Sequence, residues 1–259
     1  MEIARRLVTG RLIARDCDGE SLELARERLG ALSCRVTFDR GRFSTLRASL
    51  RRLGVERVDG LLADLGVSRF QLTSPERGFS FHSPVLDMRM SREEETTAAD
   101  IVNFSSEKEI ADLIYRYGEE RRARRIASAI VRARPVSSTH SLASLIEQVV
   151  PRTSHLHPAT RTLQALRIAT NREMEEIESL LDAIPECVAP GGRVVTLSFH
   201  SGEDRLIKQR FAQWAKQGRA AAISKHVIQP GDEELKRNAA ARSAKLRCIQ
   251  MLEQPGVGR

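Results

Sequence analysis

The run Gly60-Leu61-Leu62-Ala63 ends on Asp64 and is followed at once by Gly66. A short unbroken apolar run closed by a turn residue marks a strand buried in a sheet. An acid at its carboxyl end points to ligand chemistry, because ligands of open α/β sheets sit outside the carboxyl ends of the strands. The segment that follows, Val67 to Met90, has little periodicity but carries Arg77, His82, Asp87 and Arg89 together with Phe79 and Phe81. A polar loop of this length that is punctuated by phenylalanines has reason to stay ordered. It is read as the substrate side of a site, with a structural Ω-loop as the alternative.

Around this stretch the chain alternates. Glu2 to Val8 reads as the end of a helix stopped near Gly10, Arg11 to Asp16 as a strand, Ser21 to Leu29 as a helix, Arg35 to Phe38 as a strand, and Leu46 to Leu53 as a helix ended by Gly54. Alternation of this kind predicts an α/β fold with a parallel, doubly wound sheet. In nucleotide-binding sheets the acid ending the second strand takes the ribose hydroxyls, roughly 20 residues after a glycine-rich turn. Asp16 suits that place, but only 15 residues precede it. The first strand and its turn are therefore expected to lie upstream of Met1, and Asp16 as an ordinary surface acid is the alternative.

From about Thr97 to Val150 the pattern is helical, with helices predicted over Glu107 to Tyr117, Glu119 to Arg134 and Ser141 to Val150. At 100° per residue the second of these places Arg121, Arg125 and Arg132 on one face and Ala123, Ile126 and Ile130 opposite. The apolar face can dock on a neighbour while the basic face meets phosphates or simply solvent. A net charge of +8 over 259 residues favours a polyanionic partner. His155 and His157 have no third ligand at metal spacing, so no metal site is indicated.

A long helix is predicted to follow HPATRTLQALRI, with Ile177, Leu181 and Ile184 at core spacing and Asn171 within it. Pro190, Gly191 and Gly192 then break the chain before the strand Arg193 to Phe199, which ends in His200, Ser201, Gly202, Glu203 and Asp204. A second strand thus delivers polar groups at its carboxyl end. A helix is expected from Asp204 to Trp214, then strands over Lys225 to Gln229 and Lys245 to Leu252 as an antiparallel edge pair. The basic segment between them includes Arg242. Four scattered cysteines (Cys17, Cys34, Cys187 and Cys248) suggest neither zinc nor disulfides, and a reducing cytoplasm is expected. No run approaches the length that crosses a bilayer.

The motifs DLGVSRFQL, ERGFSF, LDMRM, YGEERRARRIASAI, HPATRTLQALRI, GGRVVTLSFHSGEDR and ARSAKLR together resemble the ribosomal RNA small-subunit methyltransferase H family, also called MraW. The resemblance spans nearly the whole chain. It implies a class I (Rossmann-like) methyltransferase core in residues 1–96 and 157–259, with an all-helical RNA-recognition insertion at 97–156. It also implies methyl transfer from S-adenosylmethionine to N4 of a cytidine in the decoding region of small-subunit rRNA. By the same resemblance Asp16 takes the ribose, Phe43 packs by the adenine, and Asp64 and Gln71 are further cofactor contacts. Asp64 is the first candidate to accept the N4 proton, with His200 and Ser201 as nearby polar groups. Arg77, Arg89, Arg121, Arg125, Arg132, Arg161, Arg242 and Lys245 are the candidate RNA contacts.

The sequence departs from the family pattern at Gly202, Arg69 and Ala239–Ala240. It also has no counterpart of the family's first strand and glycine-rich loop. Without a central strand both neighbours lose ladder hydrogen bonds, at about 1 to 3 kcal/mol for each buried group left unpaired. The chain as given is therefore expected to be an N-terminally truncated form that binds the cofactor poorly. The rival readings are an rRNA-binding module without catalysis and a DNA-cytosine methyltransferase. The latter lacks support because DLGVSR carries no prolines.

Overall fold

A computed structural model describes residues 2–7, 9–29, 36–152, 156–224 and 226–253. The chain forms two compact units: Met1–Arg40 with Val67–Glu173, and Gly41–Gly66 with Met174–Arg259. Cys34, His155, Lys225 and the amino end of the strand predicted from Arg35 lie outside the described residues.

The first unit opens with α1 (Glu2–Arg6), β1 (Leu12–Asp16), α2 (Gly19–Leu29) and β2 (Val36–Arg40). β1 and β2 pair in parallel, from Leu12 opposite Val36 to Asp16 opposite Arg40. Apolar residues of both strands pack with Ala4 and Leu29 into a small core of their own. After residue 66 the unit resumes with α4 (Arg69–Thr73), α5 (Ala98–Phe104), α6 (Glu107–Gly118), α7 (Ala123–Ala133), α8 (Thr139–Val149) and α9 (Thr160–Asn171). Serine or threonine capping boxes start α4, α5, α6 and α8, satisfying amide donors that a helix leaves orphaned at its first turn.

Ile110, Ile114, Ile126, Ile130, Leu142, Ile146 and Leu166 are fully buried together and make the helical core. α7 starts four residues later than predicted, because Glu119 takes a left-handed conformation that closes α6. The predicted two faces are present all the same. Ala123, Ile126 and Ile130 are buried, while Arg121, in the turn before α7, and Arg125 and Arg132 on it are exposed. The continuous helix expected after HPATR is instead two, since Arg172 closes α9 in the left-handed region.

The second unit contains α3 (Leu46–Arg52), β3 (Val58–Asp64), α10 (Glu173–Cys187, which begins one residue before the boundary), β4 (Val188–Ser198), α11 (Ser201–Lys216), β5 (Ala220–Ala222), α12 (Asp232–Arg237) and β6 (Lys245–Met251). Its sheet runs β3-β4-β6-β5. β3 and β4 are parallel, whereas β6 is antiparallel to both its neighbours, so the sheet is mixed rather than wholly parallel. The expected break at Pro190-Gly191-Gly192 is a bulge inside one long strand: Val58 faces Val188 but Gly60 already faces Arg193. The strand predicted at Lys225 to Gln229 is reduced to one bridge, Ile228 with Leu246, and the edge strand is β5. Ile177, Leu181 and Ile184 pack with Val194, Ile207, Phe211 and Trp214 into this unit's core. Among the described residues no helix is long and apolar enough to cross a membrane.

Gly118 shows how closely α6 and α9 approach. A Cβ there would stand 2.5 Å from the carbonyl oxygen of Arg161. Backbone cannot yield as a flexible side chain can, so Gly118→Ala is expected to destabilise the protein by about 1 to 3 kcal/mol, read from urea unfolding.

Candidate active site

In the second unit, two adjacent parallel strands release their polar residues at the same end of the sheet. Asp64 pairs with Leu197, and the Leu65 amide still donates to the Leu197 carbonyl at 3.0 Å. Just beyond, His200 caps α11 by accepting from the Glu203 amide through Nδ1 at 3.4 Å. Glu203 reaches back, its Oε2 accepting from the amides of Phe199 at 2.7 Å and His200 at 3.2 Å. Its Oε1 lies 3.2 Å from His200 Nε2. The turn FHSGE is thus a capping box in which histidine replaces the usual serine.

Glu203 is completely buried. Asp64 is exposed as a residue, yet partial burial of its carboxyl raises its pKa above the ordinary aspartate value, and the charge of Glu203 adds to the rise. A carboxylate with a raised proton affinity at a strand end can accept a proton from a bound group. Sequence reading noted Glu203 among the strand-end polar residues but assigned it no role. The signal was its place three residues after the cap, obscured because histidine is outside the common cap set. His200 is held as the cap and as a partner of Glu203, and Ser201, the first residue of α11, is exposed.

Phe43 begins a short helical turn before α3 and packs, half-buried, against the core of this unit. The next residue, Ser44, donates its amide and hydroxyl to Glu176 on α10, both at 2.9 Å, which fixes the GRFS segment. Asp204 accepts two hydrogen bonds from Arg247, at 2.7 and 3.2 Å, and one from Lys245 at 3.3 Å. Burial opposes ionisation of Asp204, but Arg247 and then Lys245 outweigh it and hold the carboxyl below the usual range. Lys245 is partly exposed beside Asp204, its ion-pair partner, and Arg242 is exposed.

In the first unit, Asp16 stands half-buried at the carboxyl end of β1, where its Oδ1 accepts from the Asp18 amide at 2.9 Å. Its pKa is raised, burial being the main cause. Asp18 is the buried hub. Its Oδ2 accepts from Gln71 Nε2 at 2.7 Å, Arg77 Nη2 at 3.0 Å and the Ser21 hydroxyl at 3.2 Å. Arg77 also reaches Glu20 at 2.7 Å and the carbonyls of Met90 at 2.7 Å and Arg89 at 3.1 Å.

These contacts correct the expectation for Arg77 and place Arg89 and Gln71. Arg77 is 1% exposed, so its guanidinium is an internal tie between the long loop and the end of β1 and cannot meet a phosphate. Arg89 donates to both oxygens of Asp87 and to the carbonyls of Arg92 and Glu94, which likewise turns it inward. Gln71 uses its carboxamide oxygen to cap α4 and its nitrogen on Asp18, which fixes its side chain beside the end of β1. Asp18 is the residue that sequence reading missed. Its signal was an acid two positions after a strand-end acid, the start of a local side-chain turn.

The loop from Val67 to Met90 is ordered through its neighbours. Phe79 and Phe81 pack on the helical core, and Phe81 stacks on His157 with ring centroids 4.4 Å apart. The carbonyls of Asp87 and Leu86 accept from the first amides of α5, at 2.7 and 2.8 Å. Asn171 clamps Met88 and Met90, donating to the first at 2.8 Å and accepting from the second at 2.7 Å. Gly78 turns the loop at φ +80°, and a Cβ there would lie 2.5 Å from the Asp87 nitrogen.

Strand-end acids on parallel β/α elements, with a helical region between them in sequence, are the layout of a class I methyltransferase. A family model described as the MraW methylase family matches residues 2–252. The chain is 53% identical over 250 residues to the ribosomal RNA small subunit methyltransferase H of Solibacter usitatus, covering 96% of this chain and 87% of that protein. Proteins of the same name from Coprothermobacter proteolyticus (44% over 247 residues, 94% of this chain and 81% of theirs) and Acidobacterium capsulatum (47% over 251 residues, 93% and 84%) are also similar. The chain belongs to the MraW methylase family.

Two variants test the internal ties. Arg77→Met leaves Asp18 buried without its charge partner and is expected to cost about 3 to 5 kcal/mol in urea unfolding, with no change in the salt dependence of any RNA binding that survives. Asp204→Asn removes a carboxylate whose folded pKa is depressed. That contribution is present above the unfolded value near 4 and is lost as pH falls through the lower folded value. The stability gap between Asp204→Asn and the parent is therefore expected at pH 7 and should close in acid, as followed by thermal melts across pH.

Proposed function

We propose that this chain is an S-adenosylmethionine-dependent methyltransferase acting in the cytoplasm on small-subunit rRNA, at the exocyclic N4 of a cytidine in the decoding region. The carrying observation is the placement of Asp64 at the carboxyl end of β3, paired with β4, whose following turn buries Glu203; burial and then the charge of Glu203 raise the proton affinity of Asp64. A binding module without catalysis gives no reason to gather two carboxylates at paired strand ends. The name shared by the relatives supports small-subunit rRNA as the substrate. The exposed Arg121, Arg125, Arg132, Arg161 and Arg242 support a polyanionic partner.

The donor residues suit the cofactor in part. Asp16 offers a half-buried carboxylate acceptor for ribose hydroxyls, and Phe43 offers an apolar ring held by its neighbours. Bound S-adenosylmethionine supplies an electrophilic methyl group. The N4 lone pair of cytosine is delocalised into its ring, so the protein must align the amine and accept a proton as positive charge develops there. Asp64 takes that proton through its carboxylate. Burial and then the charge of Glu203 keep Asp64 basic, and His200, the cap of α11, holds Glu203 in place. The target base has to be unstacked to be reached.

The test is methyl transfer from labelled S-adenosylmethionine to small-subunit rRNA, with calorimetric binding of the cofactor measured beside it. Asp64→Asn is expected to lower the rate about 100-fold or more while the melting temperature stays near that of the parent. The active form is the carboxylate, so the parent's rate should fall as pH drops through the raised Asp64 pKa. That acid limb should lie above the ordinary aspartate value. Full activity in Asp64→Asn removes Asp64 from the mechanism.

A further inference from the structure

The carboxyl end of α6, the turn after it and the first turn of α9 carry an exposed tyrosine and several exposed arginines. Tyr115 is 66% exposed although its neighbour Ile114 is fully buried. The Arg116 guanidinium carbon lies 5.2 Å from the centroid of the Tyr117 ring. From α9, Arg161 Nη1 donates to the Glu119 carbonyl at 3.1 Å, and the Glu119 amide donates to the Tyr115 carbonyl at 3.1 Å. Arg121 follows two residues after Glu119, and Arg125 lies one helical turn further on. Arg116, Arg121, Arg125 and Arg161 are all exposed.

The acids nearby do not cancel this charge. Asp112 is paired with Lys108, and Glu120 is buried with its carboxylate on the Arg122 amide, which leaves Glu119 as the exposed acid of the turn. The Gly118 contact also fixes the platform, since α6 lies directly on the backbone of Arg161.

Phosphates of a duplex call only for positive charge. An exposed tyrosine on a surface that also carries several exposed arginines matches a different target, a strand whose bases are unstacked and able to lie on the ring. We infer that this face binds an unpaired segment of RNA, with a nucleobase stacked on Tyr115 and the adjoining phosphates met by Arg116, Arg121, Arg125 and Arg161. The inference rests on the reading that the chain acts on rRNA. It adds a contact remote in sequence from the strand-end acids and specifies that the RNA held there is single-stranded.

The test is fluorescence anisotropy with a fluorescein-labelled single-stranded oligoribonucleotide of small-subunit sequence and with the duplex of the same length, at fixed salt. Tyr115→Ala is expected to weaken single-strand binding about tenfold and to leave duplex binding unchanged, and Tyr115→Phe to restore the single-strand affinity. Arg161→Gln is expected to weaken both and to lower the salt slope by about 1. Unchanged single-strand affinity in Tyr115→Ala, with its melting temperature intact, overturns the inference while RNA binding by the parent keeps the rRNA reading standing. If the parent binds neither RNA, the rRNA reading falls and takes this inference with it.

Discussion

The buried ion pair between Asp18 and Arg77 is what the first unit's functional end depends on. A guanidinium removed from water is tolerable only if every donor finds an acceptor, and Arg77 finds Asp18, Glu20 and two loop carbonyls. Those same bonds join segments that are distant in sequence. The β1 end, with Asp16, is thereby tied to the start of α4 through Gln71 and to the end of the long loop through Met90. The charge that looked suited to RNA is used to hold the site's framework.

The second unit solves its own version of the problem at the end of β4. Glu203 is buried as an acid, and two backbone amides and the His200 ring surround it. Asp64, the neighbouring strand-end acid, has its proton affinity raised by burial and raised further by the charge of Glu203. Packing, capping and acid–base character come from the same four residues. A capping histidine is an unusual choice for a helix start, but here the ring also closes around the acid that the helix needs at its third position.

Much of this was legible in the sequence, and the reason lies in periodicity. The strand ending at Asp64 was readable from its apolar run, though it lies at the edge of its sheet with Leu62 half exposed rather than buried, and the arginine face of α7 from the 3.6-residue spacing of Ala123, Ile126 and Ile130. What periodicity does not carry is pairing between distant polar groups. Nothing around Arg77 names Asp18 as its partner, so an inward arginine and a phosphate-binding arginine look the same. Turn residues misled for a related reason. Pro190-Gly191-Gly192 reads as a break, yet a sheet can absorb the extra residues as a bulge when the strand on each side still finds its partner. The strand predicted at 225–229 failed in the opposite way, since among the described residues only Ile228, which is half exposed, makes a bridge.

The division of the chain has a kinetic consequence. The second unit is assembled from one segment before the helices and another after them, so β3 cannot meet β4 until the intervening α4 to α9 have been synthesised, Asp64 having Leu197 as its partner. Closing so long a loop to gain a parallel ladder is entropically slow. Newly made β3, with Leu61 and Leu62 on it, must wait while the helical core, rich in local contacts, folds ahead of it. The strand end at Asp64 is then among the last parts of the molecule to form, after the helical segment that carries the exposed Arg121, Arg125 and Arg132.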